Sequence, residues 1–270
     1  MTNPIANPVP SLSRRLGGAM FAALRFEARR SFTAPRLGAW CLLVLFPMTI
    51  VGMFRLNGDA QSTAIWSVLL FILIPEAANL LGLLLWVAPH IQSELDGKTW
   101  PYLSVRPYGR QTVYFGKLLN GVLWTIAAGL VSLTLCVFIA SPLMAEPLRI
   151  WWANARLVVL SGFGYGTLYA LLGVIIPKRA ILIAVAYTLI FEVLVGMLPA
   201  VASEATYQFH LRCLLQIWAG LKLEQEQLRL FFSEASAWQH LAVCAAMALV
   251  FLGLGSRIVG LREYSIQDEA

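Results

Sequence analysis

The sequence predicts an all-α integral membrane protein with six transmembrane helices. Of its 270 residues, 59% are hydrophobic and only 13% charged, whereas a soluble domain carries about 25% charged residues. Mean hydropathy is +0.72. Several apolar runs reach the roughly 20 residues that cross a hydrocarbon layer about 30 Å thick at about 1.5 Å rise per residue. Only helices and closed barrels satisfy their backbone in lipid, and barrel strands would alternate in polarity, which these runs do not.

The elements follow in chain order. Residues 1–36 read as a cytosolic tail and interface helix: the first 13 are polar and Pro-rich, and 12–32 carry Leu16, Met20, Phe21, Leu24 and Ala28 at helical spacing. Arg14, Arg15, Arg25, Arg29 and Arg30 fall mostly elsewhere on that helix, the pattern of one lying in the headgroup plane. The same arginines interrupt the apolar positions, so this is no cleavable signal peptide. A transmembrane domain, 37–256, holds spans at 37–54, 64–90, 113–140, 156–176, 180–201 and 238–256. The second and third are longer than a minimal span and must tilt, bend or extend beyond the bilayer, with Pro47, Pro75 and Pro89 as candidate bends.

The longest loop, 202–237, gathers Phe209, Leu211, Leu214, Leu215, Ile217, Trp218 and Leu221, and 223–230 is helix-prone. Short outer helices before span six are expected there. A cytosolic tail, 257–270, closes the chain. No strong internal repeat of the inverted-transporter kind appears.

Charge sets the orientation. The formal net charge is +6 and the isoelectric point near 9.4, but the charges flank spans and no nucleic-acid module interrupts them. With the N-terminus inside, inner segments hold fourteen of the twenty Lys and Arg, including Arg36, Lys98, Arg110, Lys117, Lys178, Arg179, Arg257 and Arg262. The outer segments hold Arg55, Arg149, Arg156, Arg212, Lys222 and Arg229. The expectation is a multi-pass protein of the cell membrane with both termini cytoplasmic.

Cys41, Cys136, Cys213 and Cys244 show no CxxC spacing, and His90, His210 and His240 form no HExxH-like pattern. Neither a disulfide framework nor a metal site is signalled.

One dense polar block stands between spans two and three, Gln92-Ser93-Glu94-Leu95-Asp96-Gly97-Lys98-Thr99-Trp100, followed by Arg106-Pro107-Tyr108-Gly109-Arg110 and Lys117. Gly97-Lys98-Thr99 resembles the end of a phosphate-binding loop, yet GxxxxGK[ST] needs a glycine where Gln92 stands. The chain is therefore not expected to hydrolyse ATP by itself. A partner-facing turn fits better, with Glu94 and Asp96 pairing across an interface and Trp100 and Tyr102 as apolar anchors.

Glu76 and Glu192 fall inside spans two and five. An ionised side chain there costs about 2.5–3.5 kcal/mol on insertion scales, so both should face protein or water. Together with Asn79, Tyr165 and Tyr169 they either line a conduit or hydrogen-bond between helices. Gly162 and Gly166, four apart, allow close helix approach.

The ordered set of Glu94, Asp96, Thr99, Arg106-Pro107, Arg110 and Lys117 resembles the signature region of permease subunits of type-2 ABC exporters. That family reads E-x-E-x-G-T, a hydrophobic stretch, R-P, a basic residue and a lysine. Here Asp96 replaces the second glutamate and Lys98 is inserted after Gly97. The basic N-terminal helix carrying Glu27 and the six-span layout are also similar.

The resemblance implies a cytosolic coupling helix around residues 94–110 that receives force from separate ABC ATPase subunits. Those subunits, not this chain, would hold ATP and Mg. A second permease copy or related permease completes the assembly, surrounded by membrane lipid. From other classes, an intramembrane enzyme using Glu76 or Glu192, and a non-transporting membrane anchor or assembly factor, remain alternatives. The cargo is not legible.

Overall fold

A computed structural model describes residues 12–57, 62–104, 109–197, 203–221 and 235–264, and within these every regular element is helical. Arg106, Pro107, the 223–230 segment and the side chains of Leu16 and Met20 lie outside what it describes.

The chain runs through α1 (Leu12–Ser31), α2 (Ala34–Asn57), α3 (Thr63–Trp86), two short helices α4 (Gln92–Asp96) and α5 (Trp100–Ser104), then α6 (Gly109–Ala140) and α7 (Pro147–Ile175). There follow α8 (Ala180–Tyr187), α9 (Tyr207–Ala219) and α10 (Ala237–Leu261). Five of these, α2, α3, α6, α7 and α10, are long and apolar enough to cross a membrane, so this is a multi-pass membrane protein. The segment expected as the fifth span is helical in three consecutive geometries: α8, a π-helical stretch Thr188–Leu194, and a 3₁₀ turn Val195–Met197.

Local chemistry places the ends and irregularities. Ser62 caps α3 by accepting from the Ile65 amide at 3.4 Å. Ser236 opens α10 with a capping box, its amide donating to Gln239 Oε1 at 2.8 Å. Pro75 has no amide hydrogen to continue α3, and the helix widens into a π-helical stretch, Ile72–Ala78, where the Asn79 amide donates five residues back to the Ile74 carbonyl.

The central element is α7. In its most apolar 18-residue window 72% is buried, against 22% in α2 and 17% in α10. The outer helices instead expose Leu42, Met53, Leu249 and Val250, surface that is stable only against lipid. Bonds between helices replace water for buried polar groups: Ser132 Oγ donates to the Val44 carbonyl at 3.1 Å and the Trp40 indole to the Trp124 carbonyl at 3.3 Å.

The glycines of α7 serve two partners. A Cβ on Gly162 would sit 2.6 Å from Ile126 Cγ1, and one on Gly166 would sit 2.5 Å from Val122 Cγ2, so these two form the close α6 contact their spacing predicts. Gly164, between them, receives the Tyr207 ring of α9.

The interface helix also forms. Ala23 packs on Gly116 of α6, whereas Phe21 is 67% exposed together with Phe26. Phe21 of the apolar stripe is thus left for the membrane surface, while Ala23 meets the glycine notch in α6. Likewise Phe209, Leu211, Leu214 and Leu215 of the expected outer cluster are buried by α9.

Alanine at Gly164 or Gly166 should lower unfolding stability by about 1–3 kcal/mol through overpacking. Alanine at Gly253, where nothing lies within 4 Å of the added carbon, should raise it by about 0.5–1 kcal/mol. Denaturing-detergent titration of the purified chain checks this ordering.

Candidate functional site

The polar block forms an elbow joining α3 to α6 through α4 and α5. The end of α4 is closed by a Schellman arrangement: the Thr99 amide donates to the Glu94 carbonyl at 3.1 Å and the Lys98 amide to the Leu95 carbonyl at 3.0 Å. Lys98, the residue inserted relative to the family pattern, supplies the left-handed position at φ +53°. Gly97-Lys98-Thr99 therefore terminates a helix, presenting carbonyls, while a phosphate-binding loop presents amides at a helix start.

Glu94 points inward. It is 4% exposed and Lys117 7%, and the two form an ion pair. Lys117 also donates to Ser93 Oγ at 2.7 Å, the Thr99 hydroxyl donates to Glu94 Oε2, and Arg30 of α1 lies 3.6 Å from Glu94 Oε1. Sequence reasoning put both Glu94 and Lys117 on the partner surface; instead they neutralise each other, because a buried carboxylate needs a cation and α6 carries one within reach. Burial pushes the Glu94 carboxyl up, but hydrogen bonds from Lys117 and Thr99 and the charges of Lys117 and Arg30 together hold it below its ordinary 4.5.

The brace extends to both chain ends. Ser31 Oγ of α1 donates to the Glu27 carbonyl at 2.9 Å while accepting from Asn120 at 2.8 Å and Arg36 at 3.0 Å. Arg110 donates to the carbonyls of Gly260 and Arg262 at 3.4 and 3.3 Å, at the end of α10. Arg262 in turn donates to Val174 and Ile175 of α7, and the Tyr264 hydroxyl to Val174 at 2.9 Å.

Trp100 is 2% exposed, edge-on to Tyr264 at 5.1 Å, so it anchors the elbow internally and is not a partner contact. The outward rim is Asp96, Gly97, Lys98, Thr99 and Tyr102, the last 79% exposed. Arg110 is half-buried.

Glu76 and Glu192 lie midway along the bundle, bridged by Gln208, and each falls in a π-helical stretch. Glu192 Oε2 accepts from Tyr165 at 3.0 Å and from the Gln208 amide at 2.9 Å, and Oε1 from Tyr187 at 3.3 Å. The amide is the free N-terminal donor of α9, whose dipole favours an anion there. Gln208 Nε2 donates to Glu76 Oε1 at 2.7 Å, and Arg212 donates to the Gly196 carbonyl at 2.6 Å. Tyr169 joins the edge of this cluster through Thr188 at 2.5 Å.

Asn79 is separate, donating to the Val158 carbonyl and Ser161 Oγ at 2.8 Å each, and so clamps α3 to α7. Three donors on Glu192 are what inter-helix hydrogen bonding requires. Gln208, Tyr187 and Arg212 were missed by sequence reasoning; the available signal was Thr206, which caps α9 by accepting from the Phe209 amide at 3.3 Å and places Gln208 and Arg212 on one face.

Glu94→Ala leaves Lys117 buried without its carboxylate and should cost about 3 kcal/mol, part of it recovered in the double variant with Lys117→Met. Because the Glu94 carboxyl is depressed in the folded state, its contribution is complete above pH 4.5 and is lost as pH falls through the lower folded value. Glu94→Gln should flatten acid unfolding in that range; an unaltered acid profile would contradict the brace. In the other cluster, Glu192→Leu should destabilise more than Glu192→Gln, which keeps hydrogen-bonding capacity, as read by detergent unfolding.

No family model matches this chain, and no curated protein is detectably similar to it.

Proposed function

We propose that the chain is the permease subunit of a type-2 ABC exporter, with six spans, both termini cytoplasmic, and ATP hydrolysed with Mg on separate partner subunits. The observation that carries this is the elbow. A short helical turn between two membrane-crossing helices projects a polar rim while its buried side is fixed by the Glu94–Lys117 pair.

Such an elbow is what a lever needs. Force applied at Asp96, Thr99 or Tyr102 passes through α4 to Lys117 on α6 and through Arg30 to α1. In this reading Glu94 and Lys117 are positioning residues, and direct contact with the ATPase falls to the rim. ATPase closure would shift the bundle between two states by favouring one arrangement of the rim.

The same-end grouping of charge supports the orientation. Arg30, Arg110, Lys117 and Arg262 are joined by contacts at the elbow end, and a cation-rich end is retained in the cytosol. The 180–197 segment serves as the fifth span, its altered helical geometry placing Glu192 against α9. A second copy or a related permease completes the pathway.

The chain, extracted from its native membrane in mild detergent, should bring down a subunit with a complete phosphate-binding loop and ATPase activity. Asp96→Lys combined with Tyr102→Ala should reduce that association about tenfold while leaving detergent stability unchanged, a loss of about 1.4 kcal/mol. A stable chain that recovers no nucleotide-hydrolysing partner, or association indifferent to the rim, would sink the assignment.

A further inference from the structure

At the bundle end away from the elbow, two recesses adjoin. One, about 740 Å³, is a groove walled by α6, α7, α9 and α10, with Leu130, Val159, Phe163 and Leu241 along it and Trp151 and Trp238 at its side. The other, about 330 Å³, is bounded by Arg149, Trp152, Ala153, Arg156 and Trp218. Arg156, Trp152 and Trp218 line both, so an apolar channel opens directly into a cationic mouth.

The arginines are held, not loose. The Arg156 guanidinium lies over the Trp218 ring, 5.4 Å from its centroid. Arg149 pairs with Glu146 at 3.1 Å, an exposed pair that contributes little and can be exchanged. Among the described residues no carboxylate pairs with Arg156.

Depth orders these groups as a lipid is ordered. With 29 residues at about 1.5 Å each, α7 is about 44 Å long, which overhangs a hydrocarbon layer of about 30 Å by about 7 Å per end. Arg149, in the first turn, then sits among headgroups, Arg156 just inside the boundary with its charged tip reaching outward, and Val159 and Phe163 at acyl depth. The indoles occupy the level where Trp is favoured.

We propose that this recess and groove hold one anionic membrane phospholipid, its phosphate between Arg149 and Arg156 and an acyl chain along the tryptophan-lined groove. The planar, always-charged guanidinium suits phosphate oxygens, and the groove falls within the roughly 300–1,000 Å³ of small-molecule sites. A second copy of the chain would bring the same arginines to the mouth and is disfavoured by charge. The inference requires only that the bundle spans a membrane, not that it serves an ATPase.

The test uses the full chain in phosphatidylcholine nanodiscs and phospholipids with dibrominated acyl chains, which quench nearby tryptophan fluorescence. Brominated phosphatidylglycerol should quench saturably at about a tenfold lower mole fraction than brominated phosphatidylcholine. Arg149→Gln with Arg156→Gln should abolish that preference, Arg149→Gln alone should weaken it, and Val159→Phe, which narrows the groove with both arginines intact, should reduce capture. Soluble glycerol phosphate should not compete.

Equal quenching by the two lipids would reduce the site to ordinary boundary lipid and overturn the proposal. So would a preference that survives loss of both arginines, or displacement by glycerol phosphate, which would assign the mouth to a soluble anion. Absence of saturable quenching by either lipid would mean that residues 222–234 or a second chain cover the groove, and would overturn it equally.

Discussion

A carboxylate withdrawn from water must find its donors inside the protein, and this requirement organises both the elbow and the middle of the bundle. At one end Glu94 gathers Lys117 of α6, Arg30 of α1 and Thr99 of its own turn. Midway along the helices Glu192 gathers two phenols of separate helices and the Gln208 amide of α9. A charge left alone at either place would cost several kcal/mol, while the packing of apolar helices in lipid supplies no hydrophobic drive to hold them together. The acids therefore specify which helices meet, and the apolar surfaces fill what lies between.

Close approach makes those meetings geometrically feasible. The Gly162-Phe163-Gly164-Tyr165-Gly166 run gives α7 a bare surface toward α6 and another toward Tyr207, and the tyrosine placed between the last two glycines reaches Glu192. Both intramembrane acids sit where the helix has widened into π geometry. The extra residue per turn rotates the following side chains relative to an α-helix. At Ile72–Ala78 the cause is visible in Pro75; at Thr188–Leu194 no proline is present, and the carboxylate bonds to α9 accompany the change.

Much of this was legible. Hydropathy and length marked the five long spans, the spacing of Gly162 and Gly166 marked the α6 contact, and an apolar cluster marked α9. Residues whose role depends on a partner distant in the chain were harder. Glu94 and Lys117 are 23 positions apart, and no periodicity relates them, so an inward ion pair looked like two outward charges. Trp100 and Tyr102 read alike as aromatic anchors, yet one is buried on Tyr264 and the other exposed. The π stretches escaped because a 3.6-residue period assumes uniform turns, and Gln208 because an uncharged side chain in a loop carries no signal until its acids are in place.

One helix links the elbow to the Glu192 cluster. The most buried helix, α7, carries Tyr165 toward the Glu192 cluster and accepts Arg262 and Tyr264 at its C-terminal end. Its glycine notches lock it to α6, the helix that carries Lys117. Under the proposed function, displacement of the elbow rim would pass through Lys117 to α6 and, across the glycine notches, to α7. A rim displaced in that way would carry α1 with it as well, because Arg30 reaches the same Glu94 carboxylate.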